Sequence, residues 1–136
     1  MARNLRKFLT GRNKGLHEFT LLLLRLCLGC WMIYGHAWHK IDNYDLLKFT
    51  FADPLGIGRA LSLQLVIAAE AGGSLLLILG LWTRLALLPL LFTMGIIVWK
   101  VQWEAGFGKL ELPLLYTLGY VTVLFLGPGK YSIDEK

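Results

Sequence analysis

Glu70 is the residue in this chain with most scope for chemistry, because it lies in Leu65–Ala86, an apolar stretch long enough to cross a bilayer. A carboxylate at that depth costs about 3 kcal/mol or more unless it finds a partner or takes a proton. It could close an ion pair, hold a proton, or hydrogen-bond a polar head group that enters from lipid. Arg25 is the only charged residue well inside another apolar run. At about 100° per residue, Arg25, Gly29, Met32, His36 and either His39 or Lys40 share one face of the first helix. Glu70 shares its face with Gly73 and Ser74 among small residues that let two helices approach closely. Straight antiparallel helices put Arg25 and Glu70 about 9 Å apart in height, within the combined reach of both side chains. His36 lies a similar distance on the other side of Glu70, so the expectation is a buried polar site of Arg25, Glu70 and His36 in which Glu70 pairs with either Arg25 or His36.

That site has two readings. The first is an ion pair that locks the first two helices together. The second is a pocket for a quinone-like head group, or a proton-handling carboxylate, with Tyr116, Tyr120, Ser74 and Met32 as pocket residues. Cys27 and Cys30 match C-x-x-C. Residues at i,i+3 of a helix stand about 5–6 Å apart at Cβ, too far for an unstrained disulfide, so these are packing residues. His36 and His39 could offer two metal ligands one turn apart, but nothing nearby completes a set, and no metal site is expected.

The elements that position these residues are apolar runs. The chain has 136 residues, 56% of them hydrophobic and only 17% charged, which leaves too little polar sequence to cover a soluble core. The net charge of +5 therefore reflects membrane topology rather than nucleic-acid binding. Residues 1–16 form a basic tail or interfacial helix with Leu5, Phe8 and Leu9 on one side. Residues 17–131 form a transmembrane domain with helices at about 19–38, 61–82, 85–103 and 111–127, and residues 132–136 a short C-terminal tail. The second and third helices are joined only by Thr83-Arg84, a tight hairpin. The half-apolar loop 39–60 is expected to lie across one mouth of the bundle. The tail cations Arg3, Arg6, Lys7, Arg12 and Lys14, with Arg84, Lys130 and Lys136, favour both termini in the cytoplasm. The fold class is all-α, an integral membrane four-helix bundle.

The chain resembles the DoxX family of small bacterial four-helix membrane proteins from Leu22 to Asp134. The matching pieces are Arg25-Leu26 followed by Gly29, and Tyr34-Gly35-His36 leading to Lys40-Ile41. Glu70 with Gly72-Gly73 comes next, then Leu79-Gly80-Leu81-Trp82-Thr83-Arg84-Leu85-Ala86. Gly127-Pro128-Gly129-Lys130-Tyr131-Ser132-Ile133-Asp134 closes the match and is its most specific part. The resemblance implies a multi-pass inner-membrane subunit accessory to a redox complex linked to quinones or thiols. It implies other membrane subunits as partners beside the lipid bilayer, homo-oligomers included, and no covalently bound cofactor; quinone is the ligand it points to. C-x-x-C is not part of the family pattern. The alternative is a structural or assembly subunit with no chemistry of its own.

Overall fold

The computed structural model describes residues 1–10 and 13–136; Gly11 and Arg12 of the basic tail, and the side chains of Ala2, Lys7 and Phe8, lie outside the described residues. Among the described residues six helices longer than a single turn run in order: α1 (Ala2–Leu9), α2 (Lys14–Asp42), α3 (Tyr44–Thr50), α4 (Arg59–Leu79), α5 (Thr83–Val101) and α6 (Phe107–Leu126). No strand occurs among the described residues. Helices α2, α4, α5 and α6 are each long and apolar enough to cross a membrane. They run alternately up and down, each packed on its sequence neighbour, with α6 returning to α2. Both termini therefore lie at one end of the bundle.

The core is a thin apolar column that includes Leu28, Leu77, Leu87, Leu90 and Val123. Outward faces are apolar as well, with Phe19, Leu23, Leu75, Leu88 and Phe125 all exposed, as suits lipid rather than water. Exposed Trp82 and Trp99 mark the two ends of α5. Seventeen residues at 1.5 Å each separate them by about 26 Å, close to the thickness of a hydrocarbon core.

The helix ends differ from the sequence expectation where local backbone chemistry overrides apolar length. Helix α2 starts earlier, at Lys14, because Asn13 Oδ1 caps the backbone N–H groups of Gly15 and Leu16 at 3.1 and 3.4 Å. It also runs on to Asp42, carrying Lys40 back over the bundle. Helix α4 stops at Leu79 rather than at Trp82. Gly80 adopts a left-handed conformation (φ 65°, ψ 39°), and Leu81 N–H returns to Leu76 O at 3.0 Å, the hydrogen bond of a Schellman stop. The hairpin is thus Gly80-Leu81-Trp82, and Thr83-Arg84 already belongs to α5.

Residues 132–136 are not a free tail. Asp134 Oδ1 accepts from Trp82 N–H at 2.7 Å, and Oδ2 accepts from Thr83 N–H at 2.8 Å and from the Thr83 hydroxyl at 2.7 Å. Asp134 N–H in turn donates to Gly80 O at 2.9 Å. Trp82 itself is left-handed (φ 46°), a conformation that costs a non-glycine residue about 1–2 kcal/mol. The carboxylate of Asp134 therefore caps α5 from across the chain and holds this turn shut. Lys130 N–H donates to Glu18 Oε2 at 2.6 Å, which ties the same strap (Gly127–Glu135) to the start of α2.

Burial pulls the Asp134 carboxyl upward, but the Thr83 and Trp82 donors and the nearby Arg25 outweigh it and hold it below its ordinary value of 3.8. A carboxyl lowered on folding contributes stability above its unfolded value and loses it as pH falls through the folded one. The detergent-solubilised protein should therefore lose melting temperature as pH drops below about 4. Asp134→Asn should melt lower at neutral pH and shed part of that acid dependence; a melting curve identical to wild type would show that the cap contributes nothing.

Candidate functional site

The two charged residues expected to pair do not meet. Arg25 is fully buried, and its Nη1 and Nη2 groups donate to the carbonyl oxygens of Pro128 and Tyr131 in the C-terminal strap, the latter at 3.1 Å. Glu70, 1% exposed, is held instead by Lys40, whose Nζ lies 3.0 Å from Oε1 and 2.7 Å from Oε2. The reason lies in side-chain direction. Helical side chains lean toward the N-terminus of their own helix. On antiparallel α2 and α4 that lean carries Arg25 toward the termini and Glu70 toward the opposite end.

Glu70 and Lys40 close the polar side of a cavity of about 360 Å³ at that opposite end. His36 and Met32 of α2 line it, as do Phe92 and Met94 of α5 and Tyr116 of α6. The His36 ring meets Tyr116 edge-on, with centroids 5.7 Å apart and planes at 86°. Tyr120 stacks 5.8 Å further in and does not line the cavity; Ser74 is buried near its hydroxyl but outside hydrogen-bond geometry. Of the expected residues, His36, Glu70, Tyr116 and Met32 thus share one space, Tyr120 and Ser74 lie beneath it, and Arg25 belongs elsewhere.

Three π turns surround this level: Ile33–Ala37 holds His36, Ala68–Gly72 holds Glu70, and Ile97–Val101 lines the α5 wall. A π turn carries an extra residue per turn, rotates the helix beyond it, and occurs most often at functional sites. In α2 it leaves His36 and Lys40 both on the cavity side. The cavity is roofed by residues 51–57, which lie across the mouth as the half-apolar loop suggested. Asp53 fastens that roof: Oδ1 accepts from Ile57 N–H at 3.0 Å and from Ser62 Oγ at 2.9 Å, and Oδ2 from Gly58 N–H at 2.8 Å. Arg59 donates to Phe49 O at 2.7 Å and Gln64 to the Tyr44 hydroxyl at 2.7 Å, pinning α3 as well.

The expected site left out five polar groups of the wall: Lys40, named only as the alternative to His39 on its helix face, and Ser62, Thr93, Gln102 and Lys109. Lys40 carried a signal, since it lies one helical turn beyond His36. Gln102, just past the π turn of α5, carried none. Its Oε1 is buried without a partner and gives the wall an acceptor opposite in character to the Lys40 ammonium. Cys27 is half-buried and Cys30 exposed, both as free thiols away from the cavity wall. His39 turns to Asn43, 3.2 Å from Nδ1, and not toward His36.

The DoxX family profile matches residues 20–103, more than half of the chain. The chain belongs to the DoxX family. With its four apolar helices it is a multi-pass membrane protein. No curated protein and no solved structure gives a match. His36, Lys40 and Glu70 fall inside the matched stretch, whereas Tyr116 and the C-terminal strap of this DoxX protein lie beyond it.

Removing one member of a buried ion pair leaves the other uncompensated, which costs about 3–5 kcal/mol. Lys40→Met should therefore destabilise the bundle strongly, and Lys40→Met/Glu70→Leu should recover most of the loss. Equal losses in single and double variants, measured by unfolding in detergent, would show that the two side chains are not coupled.

Proposed function

We propose that this DoxX protein is an accessory subunit of a membrane redox complex, lodged in the inner membrane with both termini in the cytoplasm, and that its cavity receives the head group of a lipid-soluble quinone. The observation that carries this reading is the pairing of an apolar chamber with one buried ion pair at membrane depth. Chambers of about this size with a few convergent polar groups are the usual form of a small-ligand site. The donors and the acceptor suit such a head group. Lys40 Nζ and the Tyr116 hydroxyl can donate to ring oxygens, and Gln102 Oε1 can accept from a ring hydroxyl. A quinone, when bound, carries electrons and protons together between protein partners. Glu70 and Lys40 supply the proton-holding groups beside it, and His36 orients Tyr116 through its edge-on contact. The apolar roof and the outer halves of α5 and α6 exclude water. Electrons come from a partner subunit, since this chain carries no recognisable cofactor motif.

The competing reading, a subunit whose polar residues only hold the bundle together, draws on the same ion pair, which joins α2 to α4. The two readings differ in what Glu70→Gln does. That variant keeps a hydrogen-bonding acceptor for Lys40, whose side chain still reaches the surface, so the bundle should still accumulate and fold, at a smaller loss of stability than Lys40→Met. Under the quinone reading, lipid extracts of purified wild-type protein contain quinone, and extracts of Glu70→Gln contain at least about tenfold less at unchanged circular dichroism. Quinone absent from the wild type, or retained undiminished in the variant, would reject the proposal and leave the structural reading.

A further inference from the structure

A second concavity, larger than the proposed quinone site, lies at the other end of the bundle, and nothing in that reading uses it. It encloses about 870 Å³ between the start of α2, the α4–α5 turn and the C-terminal strap. Its cationic groups are Lys14, Arg84 and Lys130, with His17 beside them. The acids at the same groove are Glu18, Asp134 and Glu135. Two of these already serve the backbone: Glu18 accepts from Lys130 N–H, and Asp134 accepts from Trp82 and Thr83 while facing buried Arg25. Among the described residues the ion pairs are Lys40–Glu70 and Lys48–Asp45, both elsewhere, so no groove cation is paired. Between the cations the walls turn apolar, at Leu21, Leu85 and Leu126, and the last two are more than half exposed on the outer surface of the bundle.

We propose that this groove seats an anionic phospholipid of the surrounding membrane, its phosphate held by Arg84, Lys130 and Lys14 and its acyl chains laid against Leu85 and Leu126. In the groove lining three cations meet three acids, two of them already engaged by backbone donors, so the charge of the whole termini end selects the sign of the head group. At the opposite end Lys40, Lys48, Arg59, Lys100 and Lys109 nearly cancel Asp42, Asp45, Asp53, Glu70, Glu104 and Glu111. The chain's net charge of +5 therefore belongs to the termini end, where the basic sequence before α2 adds to the groove. A forked guanidinium suits a phosphate, and mobile lysines complete the shell. The exposed apolar side chains of Leu85 and Leu126 beside the cations favour a ligand with chains over a free anion, and basic residues beside a span are how membrane proteins engage anionic leaflets.

The test uses the full chain in neutral detergent micelles. Phosphatidylglycerol added to the micelles should raise the melting temperature by several degrees, whereas phosphatidylcholine should not. Native mass spectrometry should show retained phosphatidylglycerol. Arg84→Gln/Lys130→Gln should abolish both effects. That variant should fold, because Arg84 and Lys130 are exposed and the Lys130 contact to Glu18 is made by its backbone N–H. Lys48→Gln/Lys100→Gln at the opposite end should leave both effects intact. Equal stabilisation by phosphatidylcholine, or stabilisation that survives Arg84→Gln/Lys130→Gln, would overturn the proposal. Stabilisation by inorganic phosphate alone would assign the groove to a soluble anion and overturn the lipid assignment.

Discussion

A charge inside hydrocarbon must be answered within reach of its own side chain, and this requirement organises the DoxX bundle. Arg25 and Glu70 stand on adjacent antiparallel helices and look from their heights like one pair. Each leans toward the N-terminus of its own helix, so they part. Arg25 is answered by two carbonyl oxygens of a strap that returns from beyond α6. Glu70 is answered by a lysine that α2 delivers by extending past the apolar run. The bundle consequently has two polar centres, one near each end, with an apolar column of Leu28, Leu77, Leu87 and Val123 between them.

The two ends are built to different tolerances. At the termini end, Gly80 is packed so closely against Ser132 and Arg25 that a Cβ there has no room, and Asp134 closes the left-handed Trp82 turn. The start of α2, the α4–α5 turn and the strap are each fixed there by a contact from a distant part of the chain. At the opposite end three π turns relax the helical ladder at one level, and the space they surround is covered by a roof rather than filled by side chains. Irregular helix geometry is weaker than regular helix, so its repetition on three helices around one cavity makes this the least regular level of the bundle.

Much of the architecture was legible in the chain because lipid imposes a simple length rule. The apolar runs become four helices, and the half-apolar stretch after α2 becomes a roof. Helix ends were less legible. Leu81-Trp82 continues the apolar pattern, and only the backbone conformation of Gly80 and the reach of Asp134 place the stop before it. Glu70 and His36 were found because polar residues inside apolar runs are conspicuous. Lys40 was placed on the right face of α2, as the alternative to His39, but Glu70 was matched to Arg25 and His36 by height alone. Arg25 was assigned the wrong partner because its real acceptors are main-chain oxygens, which no pattern of side-chain types reveals. Tyr120 and Ser74 share the right stripe of their helices, but sit one layer below the cavity.

The choice of cation at each centre is chemically consistent with this division. A guanidinium keeps its proton under all ordinary conditions and presents a planar fork, which suits the fixed carbonyl oxygens of Pro128 and Tyr131. Arg25 thus serves as a permanent charge in a permanent joint. An ammonium is a compact charge on a flexible stem with three rotatable donors, and Lys40 Nζ bridges both oxygens of Glu70 from the next helix. The arginine thus suits a joint made with two separate and fixed main-chain oxygens, whereas the lysine suits a single side-chain carboxylate on the cavity wall.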